Sequence, residues 1–511
     1  MEKFLKIYFW QFISVLLNFA ALFVVTPYIS SSPSIFGIYS IIIALSLFIS
    51  YADFGFVAAG IKYASESFAK RDMVEEIRII GFVGFIFGCF ILVYALIVGL
   101  ASLKPEIFVT GLDNADEIKI ASNLLLILAF SAPIFVIQRI LQVIFGIRLE
   151  DHLFQRALIL ANLLKISSVF FFFREGFYDI VGYFLWVQFC NAFAVLIGIY
   201  LARRYLKYDL ILLLSAIKFD LNVYQKTSKL AFSSLFLTLC WIVFYEIDLF
   251  VIGKFLDTHQ VAIYAIGLSI LTLFRTLFGV IYNPFIPKFN YFIALNDNQG
   301  MRDFFIKVLI LGLPVVAFIV VSVSATIKSF IFSWVGSSYS EAIDIARILV
   351  LGYVLSFISY PSGSLLMAYE KVRWLFLISS LLPVLYWSGV FITFHKFGLA
   401  SFAYSKFISL TLSSLIYLIM ICRLLKLSVA DFLLKIIMPA IIPFVSLIAI
   451  LFIINDFLPF EKSKINLLLY ITSVGGCVFC AFLIYYFISK PCRTTVNTLV
   501  KSVKINLLSQ K

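Results

Sequence analysis

Charge is what this sequence has least of. Asp, Glu, Lys and Arg together make up 13% of its 511 residues, against 63% hydrophobic ones, and mean hydropathy is +1.07. Soluble domains carry roughly 25% charged residues, so a water-facing surface cannot be assembled from this chain. Histidine is scarcer still: His152, His259 and His395 lie too far apart in sequence to suggest a metal centre. The seven cysteines form no disulfide framework, and Cys477-x-x-Cys480 stands inside an apolar run with no second pair, which argues against zinc and dithiol redox chemistry. A phosphate loop is missing, as is any nucleophile beside a base. ATP hydrolysis and covalent catalysis are not expected, and no cofactor is implied.

What the chain does have is long apolar runs. Fourteen of them, each of about 20 residues as a membrane-spanning helix requires, begin near Ile7, Ile35, Ile79, Ile120, Ala157, Ile180, Leu230, Val261, Val308, Ala342, Leu375, Ala400, Ile436 and Ile465. The expectation is an all-α polytopic membrane protein with no folded domain outside the bilayer, since only short connections remain. The first run extends to about Tyr28, too long for a signal-peptide core, and is read as an uncleaved helix.

A net charge of +13 could suggest nucleic acid, but its distribution points to a membrane surface. Most of the 40 Lys and Arg residues fall in the even-numbered connections and the two ends, for example Lys70, Arg71 and Arg78, Arg148 and Arg156, Arg203, Arg204 and Lys207, and Lys490 and Arg493. Odd-numbered connections carry few and hold the acidic cluster Asp113, Asp116 and Glu117. By the positive-inside rule both termini are cytoplasmic.

The longest basic connection, 202–229, contains an amphipathic stretch expected to lie along the membrane interface. It divides the chain into an N-lobe of six spans (1–201) and a C-lobe of six (230–434), followed by two appended spans (435–489) and a basic tail (490–511). The lobes read as a repeat. Phe36-Gly37-Ile38-Tyr39-Ser40-Ile41 lies against Val261-Ala262-Ile263-Tyr264-Ala265-Ile266, and Ala44 to Phe48 against Ile270 to Phe274. These are the second and eighth spans. An even separation preserves orientation, so the duplication is parallel, about an axis along the membrane normal.

Thr26-Pro27-Tyr28, Phe36-Gly37-Ile38-Tyr39 and Ala52-Asp53-Phe54-Gly55-Phe56, followed by Lys62-Tyr63, resemble the opening of the Wzx-type polysaccharide flippases, and Asp248-Leu249-Phe250-Val251-Ile252-Gly253-Lys254 with Ala262-Ile263-Tyr264 resembles their mid-chain passage. That family belongs to the multidrug/oligosaccharidyl-lipid/polysaccharide (MOP) superfamily. The resemblance implies two lobes that carry a polyprenyl-pyrophosphate-linked oligosaccharide, such as an O-antigen or capsule repeat unit, from the inner to the outer leaflet by alternating access, with membrane lipids around it and a polysaccharide polymerase and chain-length machinery as partners. The related lipid II flippases place arginines in the first span. Here that span offers only Gln11, Asn18 and Thr26, which counts against lipid II as cargo.

Charges inside hydrocarbon cost several kcal/mol and should face a cavity or a partner. Arg275, deep in the eighth span, has the fork that best matches a diphosphate, or else pairs structurally with Asp248 or Glu246. Lys165 and Arg139 would form a basic wall in the N-lobe, although Lys165 could snorkel and Arg139 could reflect sidedness alone. Lys406 and Asn18 complete the candidate substrate contacts. Asp53 is a candidate coupling site or a counter-ion to Lys62 or Lys165. Glu246 and Asp248, two apart, would point about 200° from each other on one continuous helix, so only one could face a cavity, and Asp248 is preferred as part of the family-like passage. Two other functions compete: a multidrug exporter of the same superfamily, which would want carboxylates in its cavity, and a membrane polymerase or ligase, for which the longest outer connection, 101–119, is short.

Overall fold

In hydrocarbon every backbone N–H must find its acceptor within the segment, so each apolar run closes into a helix. The computed structural model describes residues 2–51, 55–109, 111–112, 114–282 and 285–498. Among them no strand occurs. The helices are α1 (Glu2–Ile29), α2 (Pro33–Tyr51), α3 (Phe56–Ala69), α4 (Met73–Ala101), α5 (Ala115–Ile147), α6 (Asp151–Phe172), α7 (Ile180–Arg204), α8 (Leu210–Ala216), α9 (Leu221–Tyr245), α10 (Asp248–Phe255), α11 (Thr258–Tyr282) and α12 (Ile286–Ala294). They continue with α13 (Asn298–Leu313), α14 (Ile319–Ala325), α15 (Ile327–Trp334), α16 (Ala342–Leu351), α17 (Ser356–Ala368), α18 (Val372–Phe397), α19 (Ala400–Leu424), α20 (Val429–Phe432), α21 (Met438–Asn455) and α22 (Lys464–Ile488).

Among the described residues twelve helical segments are long and apolar enough to cross a membrane; α16 and α17 make a thirteenth if counted as one span bent by 46°, and α2 adds the shorter apolar stretch Pro33–Ile49. Each of the fourteen expected spans therefore has a counterpart. The chain divides into two compact units, Met1–Ala262 and Ile263–Lys511. The boundary expected at 202–229 falls inside the first unit. Leu213 of α8 and Val223 and Ala231 of α9 join the same buried cluster as Phe56, Phe82 and Phe154, so α9 packs with the first six spans.

The repeat is written in the turns. Among the described residues six other than glycine have positive φ: Arg71, Leu149 and Lys207 in the first unit, and Asn296, Glu370 and Lys426 in the second. All six follow a helix, where a left-handed residue lets later amides return to the last carbonyls. The amide of Asp72 donates to Ser67, that of Glu150 to Phe145, that of Asp297 to Phe292, that of Lys371 to Leu366 and that of Leu427 to Cys422, at 2.8–3.0 Å. Arg71 and Asn296 are 225 positions apart, the offset that aligns Phe36 with Val261. The following caps match too: Asp72 accepts from the amide of Glu75 and Asp297 from that of Gly300, each starting the next helix. Odd-numbered connections use glycine instead, with Gly111 and Gly336 again 225 apart.

Three interruptions depart from continuous spans. Gly55 sits at φ +77°, starting α3 anew, and a Cβ there would run into the carbonyl of Ala231 on α9. Both the helix break and the close approach need glycine. The seventh span stops at Tyr245 and α10 restarts at Asp248, with Glu246 and Ile247 between them. The bend between α16 and α17 falls at residues 352–355, ahead of Pro361, which lies within α17. Pro314 opens a π-helical turn, Pro314–Phe318, whereas Pro133 and Pro383 remain inside single helices.

Candidate functional site

Three spanning helices of the first unit converge on a row of polar side chains. On α6, the Lys165 ammonium donates to Asn191 Oδ1 of α7 at 2.6 Å and to Asn162 Oδ1, one turn back on its own helix, at 3.3 Å. Asn162 Nδ2 donates in turn to Asn18 Oδ1 of α1 at 3.3 Å, and Asn191 Nδ2 donates to Gln188 Oε1 at 3.0 Å. The row runs from an exposed end at Asn18, through half-buried Asn162, Lys165 and Asn191, to buried Gln188.

Local sequence places these groups at one depth. Asp179 caps α7 by accepting from the amide of Gly182 at 2.8 Å, which fixes the entry of that helix beside the end of α6. At 1.5 Å rise per residue, Lys165 lies about 11 Å from the Phe172 end of α6, and Asn191 about 16 Å from the Ile180 end of α7. Asn18 is also about 16 Å from the Ile29 end of α1. All three are inside the hydrocarbon span rather than at its edge.

The charge balance of the row is uneven. An ammonium has three donors, and Lys165 commits two of them to amide oxygens. Among the described residues no carboxylate stands within ion-pair distance of it. Neutral amides satisfy hydrogen bonds but leave the net charge in place. A fixed cation at this depth favours whatever anion can reach it.

The other expected site residues are dispersed. Arg139, half-buried on α5, donates from Nη1 to Gln142 Oε1 at 3.0 Å. Arg275, half-buried on α11, belongs to the second unit, where its backbone carbonyl accepts from the Tyr360 hydroxyl at 3.1 Å. Lys406 of α19 is wholly buried in that unit, with its ammonium 4.9 Å from the ring centre of Tyr386 and 5.9 Å from that of Tyr264. Asp248 opens α10 and is buried, its Oδ1 accepting from the amide of Leu249 at 3.1 Å. The argument that Glu246 and Asp248 must face opposite ways fails, because the helix breaks between them, and both carboxylates are in fact buried. Asp53 lies outside the described residues, as does the tail beyond 498. Asn18 and Lys165 are thus brought into one network, while Asn162, Gln188 and Asn191 join it without having been singled out from the sequence.

A second polar cluster closes the end of the first unit that bears the even-numbered connections. Glu76 of α4 and Arg148, just past α5, form a buried pair: Nη1 lies 2.8 Å from Oε1, and Nη2 donates to Oε2 at 3.0 Å. The guanidinium is stacked between the rings of Phe68 and Tyr208, at 4.9 and 4.7 Å from their centres. Burial, helped by the Glu76 charge and opposed by Arg148, pushes the Tyr208 phenol above its ordinary range. Nearby, Arg78 donates to Asp220, the cap of α9. That bond, reinforced by the amides of Val223 and Asn222, holds the Asp220 carboxyl below the usual carboxylate range, and burial opposes the shift.

No family model and no curated protein matches the sequence. Solved structures do. The chain is similar to the lipid II flippase MurJ in an inward closed conformation, at 16% identity over 94% of this chain and 98% of that one, with a TM-score of 0.69. It is also similar to an inward-facing multidrug resistance MATE family transporter of the MOP superfamily, at 12% identity over 81% and 95% of the two chains and a TM-score of 0.61. A MATE structure in complex with MaL6 shares 14% identity over 83% and 96%, with a TM-score of 0.51. At such identities the likeness is one of architecture: this all-α chain has the fold of the MOP superfamily transporters MurJ and MATE.

Proposed function

We propose that the protein is a secondary transporter that flips a polyprenyl-pyrophosphate-linked oligosaccharide from the cytoplasmic to the outer leaflet of a plasma membrane, with both termini cytoplasmic, in surface-polysaccharide synthesis. The observation that carries this reading is the Lys165 ammonium, deep in a spanning helix and held by amide oxygens, with no carboxylate within ion-pair distance among the described residues. An anionic cargo would neutralise that charge, and the amides of Asn18, Asn162, Asn191 and Gln188 suit the hydroxyl groups of a sugar. The fold shared with a lipid II flippase supports a lipid-linked cargo. Arg275 is the proposed diphosphate contact of the second unit, Arg139 and Lys406 are proposed to add positive potential, and Asp53 and Asp248 to serve coupling or gating. Multidrug export, the activity named for the MATE structures, fits less well, because a cationic drug would meet Lys165 with like charge.

The test is reconstitution. Proteoliposomes loaded with a polyprenyl-diphosphate oligosaccharide should expose its sugars to an external lectin at a rate that depends on the protein, and should not accumulate a cationic dye. Dye uptake without lipid flipping would overturn the proposal. Lengthening of the glycan by the purified protein would replace it with the polymerase reading.

A further inference from the structure

The α7–α9 connection carries an exposed face that the rest of the molecule leaves uncovered. Residues 205–221 are clipped to the first unit at several points: Tyr208 stacks on Arg148, Leu213 is buried in the core, Phe219 packs against Phe82 and Phe85, and Asp220 is held by Arg78. Alpha helix α8 also presses against α4 so closely that a Cβ at Gly81 would collide with the carbonyl of Ala216. This stretch is therefore an ordered part of the unit. Its outward side is nevertheless apolar: Tyr205 is 63% exposed, Ile211 79%, Leu214 69% and Leu221 58%.

Charge says what covers that face. Arg203, Arg204, Lys207 and Lys218 flank it in sequence on both sides and are all exposed. The two acids in the stretch are engaged elsewhere, Asp209 capping α8 through the amide of Leu212 at 2.9 Å and Asp220 bonded to Arg78 and capping α9 through the amide of Val223 at 3.1 Å. With seven residues, α8 is about 10 Å long and cannot span a bilayer. The second unit builds no such element at its matching turn, where the chain after Lys426 runs through α20 directly into α21.

We infer that α8 and its flanks form a docking surface for anionic phospholipid, with Ile211 and Leu214 inserted among the acyl chains and Arg203, Arg204, Lys207 and Lys218 on the headgroups. An apolar face ringed by cations is the pattern of an interfacial helix on a negatively charged leaflet. The surface would tie the first unit to that leaflet whatever cargo the protein moves.

The full chain is placed in nanodiscs of phosphatidylcholine with phosphatidylglycerol, and the lipids that remain bound are counted by native mass spectrometry as salt is raised. Relative to the native protein, R203Q/R204Q/K207Q/K218Q is expected to lose preference for phosphatidylglycerol by about fivefold per charge at low salt. The matched variant K371Q/R373Q/R423Q/K426Q, at turns of the second unit, should lose far less. A fluorescent amino acid at position 211 should be quenched by brominated acyl chains. Equal losses in the two variants would overturn the inference. So would a water-exposed probe in nanodiscs, including one shielded only in native membranes, which would assign the face to a protein partner.

Discussion

Replacing Lys165 with Gln separates a cation kept for cargo from one kept for structure. Lysine near the middle of a spanning helix costs about 2.5–3.5 kcal/mol on insertion scales. Gln can still donate to Asn191 and Asn162, so what is lost is the extra strength of two charged hydrogen bonds, about 2 kcal/mol in sum. The remainder favours the variant by roughly 1 kcal/mol, an upward shift of about 2 °C in the melting of a unit of this size. Transport should move the other way, falling at least tenfold with the loss of a charged contact to the cargo, whereas Lys165→Arg should retain much of it. The assay pairs thermal unfolding of the purified protein in detergent with flipping in proteoliposomes. A Gln variant that melts earlier and flips normally would refute the reasoning, for Lys165 would then be a structural tie between α6 and α7.

Three further perturbations probe the scaffold. Glu76→Gln leaves the Arg148 charge buried and uncompensated, and should cost about 3–5 kcal/mol, with much of it recovered in a Glu76→Leu, Arg148→Met double variant; additive losses in a thermal double-mutant cycle would show the two to be uncoupled. Leu149 pays for a positive φ without a polar side chain to compensate, so Leu149→Gly should stabilise by about 0.5–1 kcal/mol while Asn296→Gly changes little, and equal shifts in melting temperature would count against the αL assignment. Asp220→Ala, which removes both cap and ion pair, should melt below Asp220→Asn, which keeps the cap, by an amount reflecting about 1 kcal/mol. The depressed Asp220 carboxyl stabilises the fold above the unfolded value near about pH 4, and that contribution disappears as pH falls through the lower folded value. The Asn variant should lack this part of the acid limb in a melting-versus-pH series, and the difference should shrink with added salt, since the pair is near the surface.

Hydropathy made the spans legible because a bilayer imposes one rule on every segment, and the rule is visible in runs of about 20 residues. The repeat was legible at its start, where Phe36 and Val261 align, and the same 225-residue offset reappears in the backbone at Arg71 and Asn296. Where the reading failed, the cause was tertiary. Nothing local in Tyr245-Glu246-Ile247-Asp248 announces a break, since none of these residues is a helix breaker, and a break there changes which way two carboxylates point. Helix α9, which follows the basic 202–229 connection, packs its Ala231 on Gly55 of the first unit, a contact that no local pattern displays. Charge alone does not mark Asn162, Gln188 and Asn191 in the sequence. Amides are inexpensive enough in a membrane to pass unnoticed one at a time, and their significance lies in convergence from two helices, which spacing within either one does not display.

The two halves of the repeat, 1–201 and 230–434, share their turns and differ in how they house a cation between their fifth and sixth spans. Sixteen residues after the left-handed residue Leu149 stands Lys165, and sixteen after Glu370 stands Tyr386. In the first unit the ammonium therefore comes from the fifth span, α6, and meets amide oxygens of α7. In the second it comes from the sixth span, as Lys406 of α19, and lies over the ring of Tyr386, the counterpart of Lys165. These are different chemical solutions. Amide oxygens take up individual N–H donors and, among the described residues, leave one of Lys165 uncommitted, whereas aromatic faces attract the charge as a whole while their rings close it off, consistent with Lys406 having no exposed surface. The half-buried lysine is suited to a ligand that comes and goes, and the enclosed one to holding α18 and α19 together. The duplication thus preserved the backbone geometry of the turns, while a lysine in one half stands where the other has a tyrosine, so the halves hold their cations by different contacts.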